Sequence, residues 1–231
     1  MQEKFRGMGY VVEGHEVGEN PNNSINREKW RNFCTNPNEH GPEDFSYIVH
    51  AVYANRETKK ITVGKEEIDF INVAKEPKRI HEIPVLACSL IGNKKDYGHT
   101  GTVHNVSNVC LILEVPPENI LRSGPQDIAS SRSLEDEQKR VDAGYGIGDP
   151  ETLLRESSPQ RGWGYNEVVI RGSSPSGQVR VIGIYLNNQT HDTSTSEEER
   201  SLAKEIAARL NIPIIAAQQK EIVKEQDLME I

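Results

Sequence analysis

Apolar residues alternate with polar ones, or run almost unbroken, in several short stretches that predict β-strands. The first is "FSYIVHAVYA", residues 45–54. In "KITVGKEEIDFINV" apolar residues alternate on both sides of Gly64-Lys65, which predicts a hairpin. The nearly continuous apolar run "HEIPVLACSLIG" predicts a buried strand. Further strands are predicted in "NVCLILEVP", "EVVI", "QVRVIGIYL" and, last, "IPIIAA".

Three other stretches have the spacing of helices. A short helix is predicted after Ser24, with Trp30 and its apolar neighbours on one side. The charged stretch "LEDEQKRVDAG", which ends in glycine, predicts a second. In the third, Leu202, Ile206 and Leu210 form a stripe with a period of four, after a run of Thr, Ser and Glu with capping-box spacing.

The order of these elements predicts an α+β fold with a mixed or antiparallel sheet. It lacks the regular strand–helix alternation of a doubly wound sheet, and the chain contains no GxGxxG or P-loop sequence. Residues 1–44 are polar and turn-rich, so we expect a helical N-terminal segment there. Residues 45–231 are expected to form the main domain.

Composition narrows the function classes. The 231 residues carry a net charge of −8, which argues against a nucleic-acid or anionic-membrane partner. No apolar stretch approaches the roughly 20 residues that span a bilayer, and the N-terminus lacks the apolar core of a signal peptide. We therefore expect a soluble protein. Three widely spaced cysteines favour a reducing compartment over a disulfide framework, and the seven scattered histidines form no metal-binding motif.

Three predicted strands each hold a single polar side chain that could take part in catalysis. His50 is enclosed by Val49 and Ala51, and Ser89 lies within "ACSLI". Glu167 opens "EVVI" directly after the Ser-, Pro- and Gly-rich stretch "SSPQRGWGYN". A carboxylate at a strand mouth can oppose positive charge that develops on a substrate, and the preceding loop has the composition of a mobile segment.

The order of these three residues resembles the mono-ADP-ribosyltransferase family of bacterial toxins and effectors. The resemblance implies a β core of ADP-ribosyltransferase type and NAD+ as a substrate, with no metal. It implies that three residues are catalytic and bind NAD+: His50 as the first-strand residue, Ser89 on the serine strand and Glu167 as the carboxylate. Arg56, just beyond the first strand, is the alternative first-strand NAD+ residue.

The same resemblance implies a protein acceptor that the loop recognises, through Trp163, Tyr165 and Asn166. Tyr165 stands where arginine-modifying members carry Glu or Gln, so the acceptor is expected not to be a simple arginine. Chain length and the Tyr-x-Glu pattern also resemble the effectors that ADP-ribosylate a threonine of host ubiquitin. The chain is then expected to be secreted by a bacterium and to act in the cytosol of a host or target cell. The sequence does not indicate an oligomeric state.

Two other functions remain open at this point. The chain could be a non-catalytic interaction domain whose acidic surface docks a basic partner. It could also be a cysteine-dependent hydrolase that uses Cys88 or Cys110. Both cysteines are flanked by Leu and Ile on predicted buried strands, which raises the pKa of a thiol rather than activating it.

Overall fold

The protein is an α+β structure, and the strands that the structure describes form one large, mostly antiparallel sheet and two small ones. The computed structural model describes residues 22–33, 45–51, 53–55, 60–63, 66–69, 80, 82–94, 98–100, 109–125, 128, 133–157, 166–186 and 197–216. The strands are β1 (Phe45–Ala51), β2 (Tyr53–Asn55), β3 (Lys60–Val63), β4 (Glu66–Asp69), β5 (Leu86–Lys94), β6 (Gly98–Thr100), β7 (Val109–Glu114), β8 (Ile120–Pro125), β9 (Asn166–Ile170), β10 (Ser173–Ser174), β11 (Gly177–Gln178), β12 (Arg180–Leu186) and β13 (Ile214–Ala216).

The described helices cover four segments of the chain. They are α1 (Asn22–Phe33), α2 (Leu134–Asp142), α3 (Pro150–Glu156) and α4 (Glu197–Leu210), with a 3-10 turn at Pro117–Asn119. The side chain of Ser133 caps α2 by accepting from the Asp136 N–H, and Gly144 follows α2 with a φ of 88° that an L-residue rarely adopts. Helices α2 and α4 confirm the second and third predicted helices. Helix α1 covers the stretch predicted as the first helix but begins at Asn22, so Ser24 lies inside it.

The large sheet has the strand order β13-β12-β7-β1-β5-β9-β8, and β6 adds to β5. Every pairing in it is antiparallel except that of β12 with β13. The predicted hairpin is confirmed by the antiparallel pairing of β3 with β4, which belong to a separate three-stranded sheet with β2.

Strand β5 changes neighbours along its length. Its first three residues, 86–88, pair with β9, whereas residues 89–93 pair with β1. The large sheet is thus two wings that share β5, one running through β1 and β7 and the other through β9 and β8. The crossover from one neighbour to the other lies between Cys88 and Ser89, so residues at this point border both wings.

A hydrophobic core lies on one face of both wings. It contains Ile48 of β1, Leu90 of β5 and Val168 of β9, together with residues of α1, α3 and α4. Two smaller apolar clusters involve the opposite face, one on the β1 wing around Val49 and Ile91 and one on the β9 wing around Val169. Because side chains alternate along a strand, odd-numbered residues of β5 and β9 belong to this opposite face.

Helix α1 is joined to this core by a tryptophan. Trp30 is fully buried among the core residues, and its indole N–H donates to the Gly148 carbonyl at 2.9 Å. A buried aromatic residue with a satisfied N–H is a strong anchor, so α1 packs with the sheet that follows it in sequence. The division at residue 44 and the structure of residues 1–21 and 34–44 stay predictions, since those segments lie outside the described residues.

Candidate functional site

The crossover in β5 brings Ser89 and Glu167 together. The backbone pairing of the antiparallel β5 and β9 ends at Cys88 and Val168, and Ser89 and Glu167 are the residues one step beyond it on the two strands. Opposed residues in an antiparallel pair project from the same face, with Cβ atoms about 4.5–5.5 Å apart. The predicted serine strand and glutamate strand are therefore neighbours, and their two polar side chains share one face.

One residue beyond Ser89 and Glu167, the hydrogen bonds between β5 and β9 are made by the Asn166 side chain instead of the β9 backbone. The Asn166 amide oxygen accepts from the Leu90 N–H at 2.7 Å, and its amide nitrogen donates to the Leu90 carbonyl at 2.7 Å. The amide nitrogen also donates to the Ser157 hydroxyl at 3.0 Å, just beyond α3. The interpretation of Asn166 as a substrate-reading residue is corrected here, because its amide is fully buried and both of its N–H groups donate to internal partners.

The Glu167 carboxylate is almost completely buried, at 3% exposure. Its Oε2 accepts from the backbone N–H of Ile128 at 2.8 Å. The carbonyl of Ile128 faces the guanidinium of Arg122, at 3.5 Å from both terminal nitrogens. Because a buried carboxylate is costly without partners, this donor helps to keep a charged group inside the protein.

Arg122 is itself part of a buried ion pair. Its Nε donates to Glu137 Oε2 at 2.6 Å, and its Nη2 donates to Glu137 Oε1 at 3.3 Å. The two side chains are 2% and 0% exposed. The pair joins β8 to α2. A polar network therefore runs from the Glu167 carboxylate through the Ile128 peptide groups to Arg122 and Glu137.

His50 lies close to β5 but leaves β1 on the other face from Ser89. Val49 is paired with Ser89, whereas His50 is paired with Leu111 of the main core. The Nδ1 atom of His50 is 2.8 Å from the carbonyl oxygen of Ala87, so the imidazole lies beside β5 where β1 and β5 separate. The structure therefore places Ser89 and Glu167 on adjacent strands, while the His50 ring lies on the other face of β1 and contacts the Ala87 carbonyl.

The imidazole of His50 is a neutral acceptor. Burial lowers the pKa of His50, and the hydrogen bond to the Ala87 carbonyl opposes this shift more weakly. That bond requires the proton on Nδ1, which leaves a lone pair on Nε2. Within the described part of the chain, Nε2 is buried and has no hydrogen-bond partner.

Solvent reaches this region at Ala87. This residue is exposed although Cys88 and Ser89 on either side of the crossover are buried. Ala87 belongs to the face of β5 that carries Ser89, and its carbonyl is the group that the His50 ring contacts. An exposed alanine in a buried strand marks a place where a ligand can approach the sheet without displacing a large side chain.

The two described cysteines lack the environment of a nucleophile, as their flanking residues predicted. Burial raises the pKa of Cys110, and burial followed by the nearby Glu167 carboxylate raises the pKa of Cys88. A thiolate is the reactive form, so both positions disfavour it. Cys88 and Cys110 are buried as free thiols. Neither described cysteine therefore supports the cysteine-hydrolase alternative.

Several predicted site residues lie outside the described part of the chain. These are Arg56, Trp163 and Tyr165. Their predicted roles remain predictions. Among the residues that the structure does describe, no group of three or more His, Cys, Asp or Glu side chains could hold a metal ion. The described helices also include none with the length and apolarity needed to cross a membrane.

The sequence reasoning missed two groups that support Glu167. Arg122 was visible as the lone cation in "NILRSGP", but nothing in that stretch indicated a partner 15 residues later. The Ile128 N–H is a backbone group, and no side-chain pattern marks it. Asn166 was noticed for its place beside the glutamate, although only the three-dimensional pairing shows what its amide binds.

Comparison with known proteins adds no relative to this description. The chain matches none of the protein-family models, curated proteins or solved structures against which it was compared.

Proposed function

We propose that the chain is an NAD+-dependent mono-ADP-ribosyltransferase that modifies a protein acceptor. The observation that carries the proposal is the placement of Ser89 and Glu167 on one face at the β5 crossover, one step beyond the Cys88–Val168 pair. The proposal also keeps His50, whose ring contacts the same strand. In its fold, the proposal assigns an ADP-ribosyltransferase type of β core with a helical N-terminal part.

In this reaction a fixed negative charge next to the ribose would stabilise the transition state. The bond between the ribose C1′ and the nicotinamide nitrogen breaks, and its electron pair goes to nicotinamide, which leaves as a neutral molecule. A bond then forms between C1′ and an acceptor oxygen, which gives up its proton to solvent. Positive charge builds on the ribose between these events, and the Glu167 carboxylate stabilises it more than it stabilises the bound substrate.

The neighbouring groups have supporting roles in this proposal. The Ser89 hydroxyl, on the adjacent strand, orients the carboxylate when substrate is present. His50 stays in the proposal as the first-strand NAD+ residue, although its ring leaves β1 on the core face and contacts the Ala87 carbonyl. Arg56 remains the alternative first-strand residue. The exposed Ala87 gives the substrate a route to the sheet.

The acceptor is assigned by resemblance alone. A Tyr-x-Glu sequence in place of a second acidic or amide residue favours an acceptor other than arginine, and a threonine of ubiquitin is one candidate. A secreted bacterial effector that acts in the cytosol of a host or target cell fits this acceptor. In this proposal Trp163 and Tyr165 recognise the acceptor, while Asn166 is reassigned to the interior.

The test is the release of nicotinamide from NAD+, measured for the wild-type protein and for Glu167→Gln. The substitution keeps the shape and an acceptor for the Ile128 N–H, but removes the charge. We expect turnover to fall about 10²–10³-fold, while NAD+ affinity changes much less. A wild-type protein that neither releases nicotinamide nor labels any protein of a cytosolic extract would overturn the proposal and favour a binding module.

A second variant separates acceptor recognition from NAD+ chemistry. Tyr165→Ala is expected to suppress the labelling of a protein acceptor more than the hydrolysis of NAD+, because the loop precedes the acid in sequence. The assay follows labelled NAD+ into protein and into free ADP-ribose in the same reaction. Equal losses in both products would argue against an acceptor-reading role for Tyr165.

A further inference from the structure

The Asn166 amide completes a frame around the Ser89–Glu167 pair. On one side the frame is the backbone pairing of Cys88 with Val168. On the other side it is the pair of 2.7 Å bonds between the Asn166 side chain and the Leu90 backbone. Ser89 and Glu167 each occupy the single position between these two connections. Both connections end on backbone atoms of β5, so they fix the separation and the tilt of the strands themselves.

We infer that Asn166 is a positioning residue that holds the Glu167 carboxylate beside Ser89, so that turnover depends on its amide. The inference rests on the proposed function and deepens it. Glu167 lies at the second residue of β9, where Gly124 of β8 pairs with its backbone on one edge and the Asn166 side chain supplies the connection to β5 on the other. Reacting groups must be held to within about 0.5 Å of their working positions, and small displacements lower the rate of the chemical step more than binding.

The amide is fully committed to this task. Its oxygen accepts from Leu90, one N–H donates to the Leu90 carbonyl and the other donates to the Ser157 hydroxyl. Ser157 in turn donates to the Leu153 carbonyl at 2.6 Å, within the last turn of α3. The clamp therefore joins β5, β9 and the end of α3, and it leaves no N–H of Asn166 to contact a substrate.

The chain contains a matched control for this clamp. Asn119 is also fully buried, and its amide nitrogen donates to the carbonyls of Arg171 and Gly177 at 3.2 and 3.3 Å. Its oxygen accepts from the Ser174 hydroxyl at 2.5 Å. Asn119 is thus also a buried amide bonded to backbone groups and to a serine, although here the serine donates, and it lies near the opposite end of β9 from Glu167.

The experiment compares Asn166→Asp and Ser157→Ala with Asn119→Asp and Ser174→Ala. For each folded variant the kcat and KM of nicotinamide release from NAD+ are measured, together with the melting temperature and the exchange rate of the Leu90 amide proton. Asn166→Asp keeps an oxygen that can accept from the Leu90 N–H but loses both N–H donors, to the Leu90 carbonyl and to the Ser157 hydroxyl, so the strands can separate here and we expect faster Leu90 exchange. A loss of about 1–3 kcal/mol in positioning corresponds to a kcat lowered about 5- to 150-fold.

The expected pattern is specific to positioning. The KM for NAD+ should stay within about threefold of wild type, whereas Asn119→Asp should lower the melting temperature without a comparable loss of kcat. A folded Asn166→Asp protein with faster Leu90 exchange and a kcat within about twofold of wild type would overturn the inference. So would equal falls in kcat for the Asn119 and Asn166 variants.

Two further outcomes are also decisive. Where Asn166→Asp fails to fold, Ser157→Ala decides, since it removes one of the three bonds. We expect its kcat to fall by about three- to tenfold while Ser174→Ala keeps the wild-type kcat, and an unchanged kcat for both would overturn the inference. A wild-type protein without turnover overturns the proposed function and this inference together, and that result is seen before any variant is made.

Discussion

The two ends of β9 are both secured by a buried asparagine, yet only one end holds a buried carboxylate. Asn166 and Asn119 are each fully buried, and each bonds to backbone groups and to a serine hydroxyl. Beside Asn166 lie Glu167 and Ser89, at 3% and 4% exposure. At the other end, Ile120 is paired with Ile170, and both are fully buried and apolar.

The two ends of β9 show that the fold needs a buried amide at a strand end but does not need a buried carboxylate there. The Asn119 end shows that a saturated amide is enough to close a strand and satisfy the turn beside it. A carboxylate at the Asn166 end adds a desolvation cost that strand closure does not require. The network of Ile128, Arg122 and Glu137 offsets part of this cost. A carboxyl group kept in the interior at such a cost is a reason to look for chemistry there.

The largest expected effect on stability concerns the charged network that only the Glu167 end possesses. Glu137→Gln leaves the buried Arg122 guanidinium without its carboxylate, and we expect the free energy of unfolding to fall by about 3–5 kcal/mol. Denaturant titration measures it. Glu135→Gln on the same helix is the control, because Glu135 is 79% exposed in its ion pair with Lys139 and should contribute little. Equal, small effects of both variants would contradict the buried network.

A smaller effect is expected at both asparagines. Asn166→Asp leaves the Leu90 carbonyl without its amide donor, and Asn119→Asp does the same to the carbonyls of Arg171 and Gly177. Each variant should lower the free energy of unfolding by about 1–3 kcal/mol. Chemical denaturation of the two variants under the same conditions gives the values. Similar losses would show that the two ends are equivalent for stability. A loss at only one of them would break the comparison.

The cysteines on either wing should matter only for packing. Cys88→Ala and Cys110→Ala each remove one buried atom from a close-packed cluster, so we expect a loss of about 1 kcal/mol in stability. Nicotinamide release by the folded variants should match the wild type. Abolished turnover in a folded Cys88→Ser or Cys110→Ser protein would instead return the cysteine-hydrolase alternative.

The smallest expected effect is a change in the pH dependence of stability. The pKa of His50 is lower in the folded protein than its ordinary value of 6.5, chiefly because of burial. The unfolded chain therefore binds more protons, and stability is lost as pH falls from about 6.5 through the folded-state pKa. His50→Gln should flatten this part of the profile. Unfolding free energies that change identically with pH in both proteins would contradict a buried neutral imidazole.

Much of the fold could be predicted from the sequence because its signals are local. The capped helix ending at Gly144 and the hairpin around Gly64-Lys65 are set by residues within a few positions of one another. The division of β5 between two neighbours could not be predicted in this way. Nothing in "LACSLIGNK" marks residue 88 as the last that pairs with β9, since strand partners are chosen by long-range packing.

Part of the candidate site could also be predicted, because a lone polar residue in an apolar strand is a local signal. Ser89 and Glu167 were identified as lone polar residues in apolar strands, and the structure makes them neighbours. His50 met the same criterion but lies on the opposite face of β1, because strand alternation relative to Val49 decides its direction. The side-chain clamp of Asn166 and the backbone donor of Ile128 carry no signal in the sequence at all.

The most direct test of the central claim, that Ser89 and Glu167 act as one unit, is a double-mutant cycle on nicotinamide release. Glu167→Gln should lower kcat about 10²–10³-fold and Ser89→Ala about tenfold. If the serine acts through the carboxylate, the double variant should be no slower than Glu167→Gln alone, because residues that act as a unit are non-additive. Fully additive losses, or a Glu167→Gln protein within about threefold of wild type, would contradict the account.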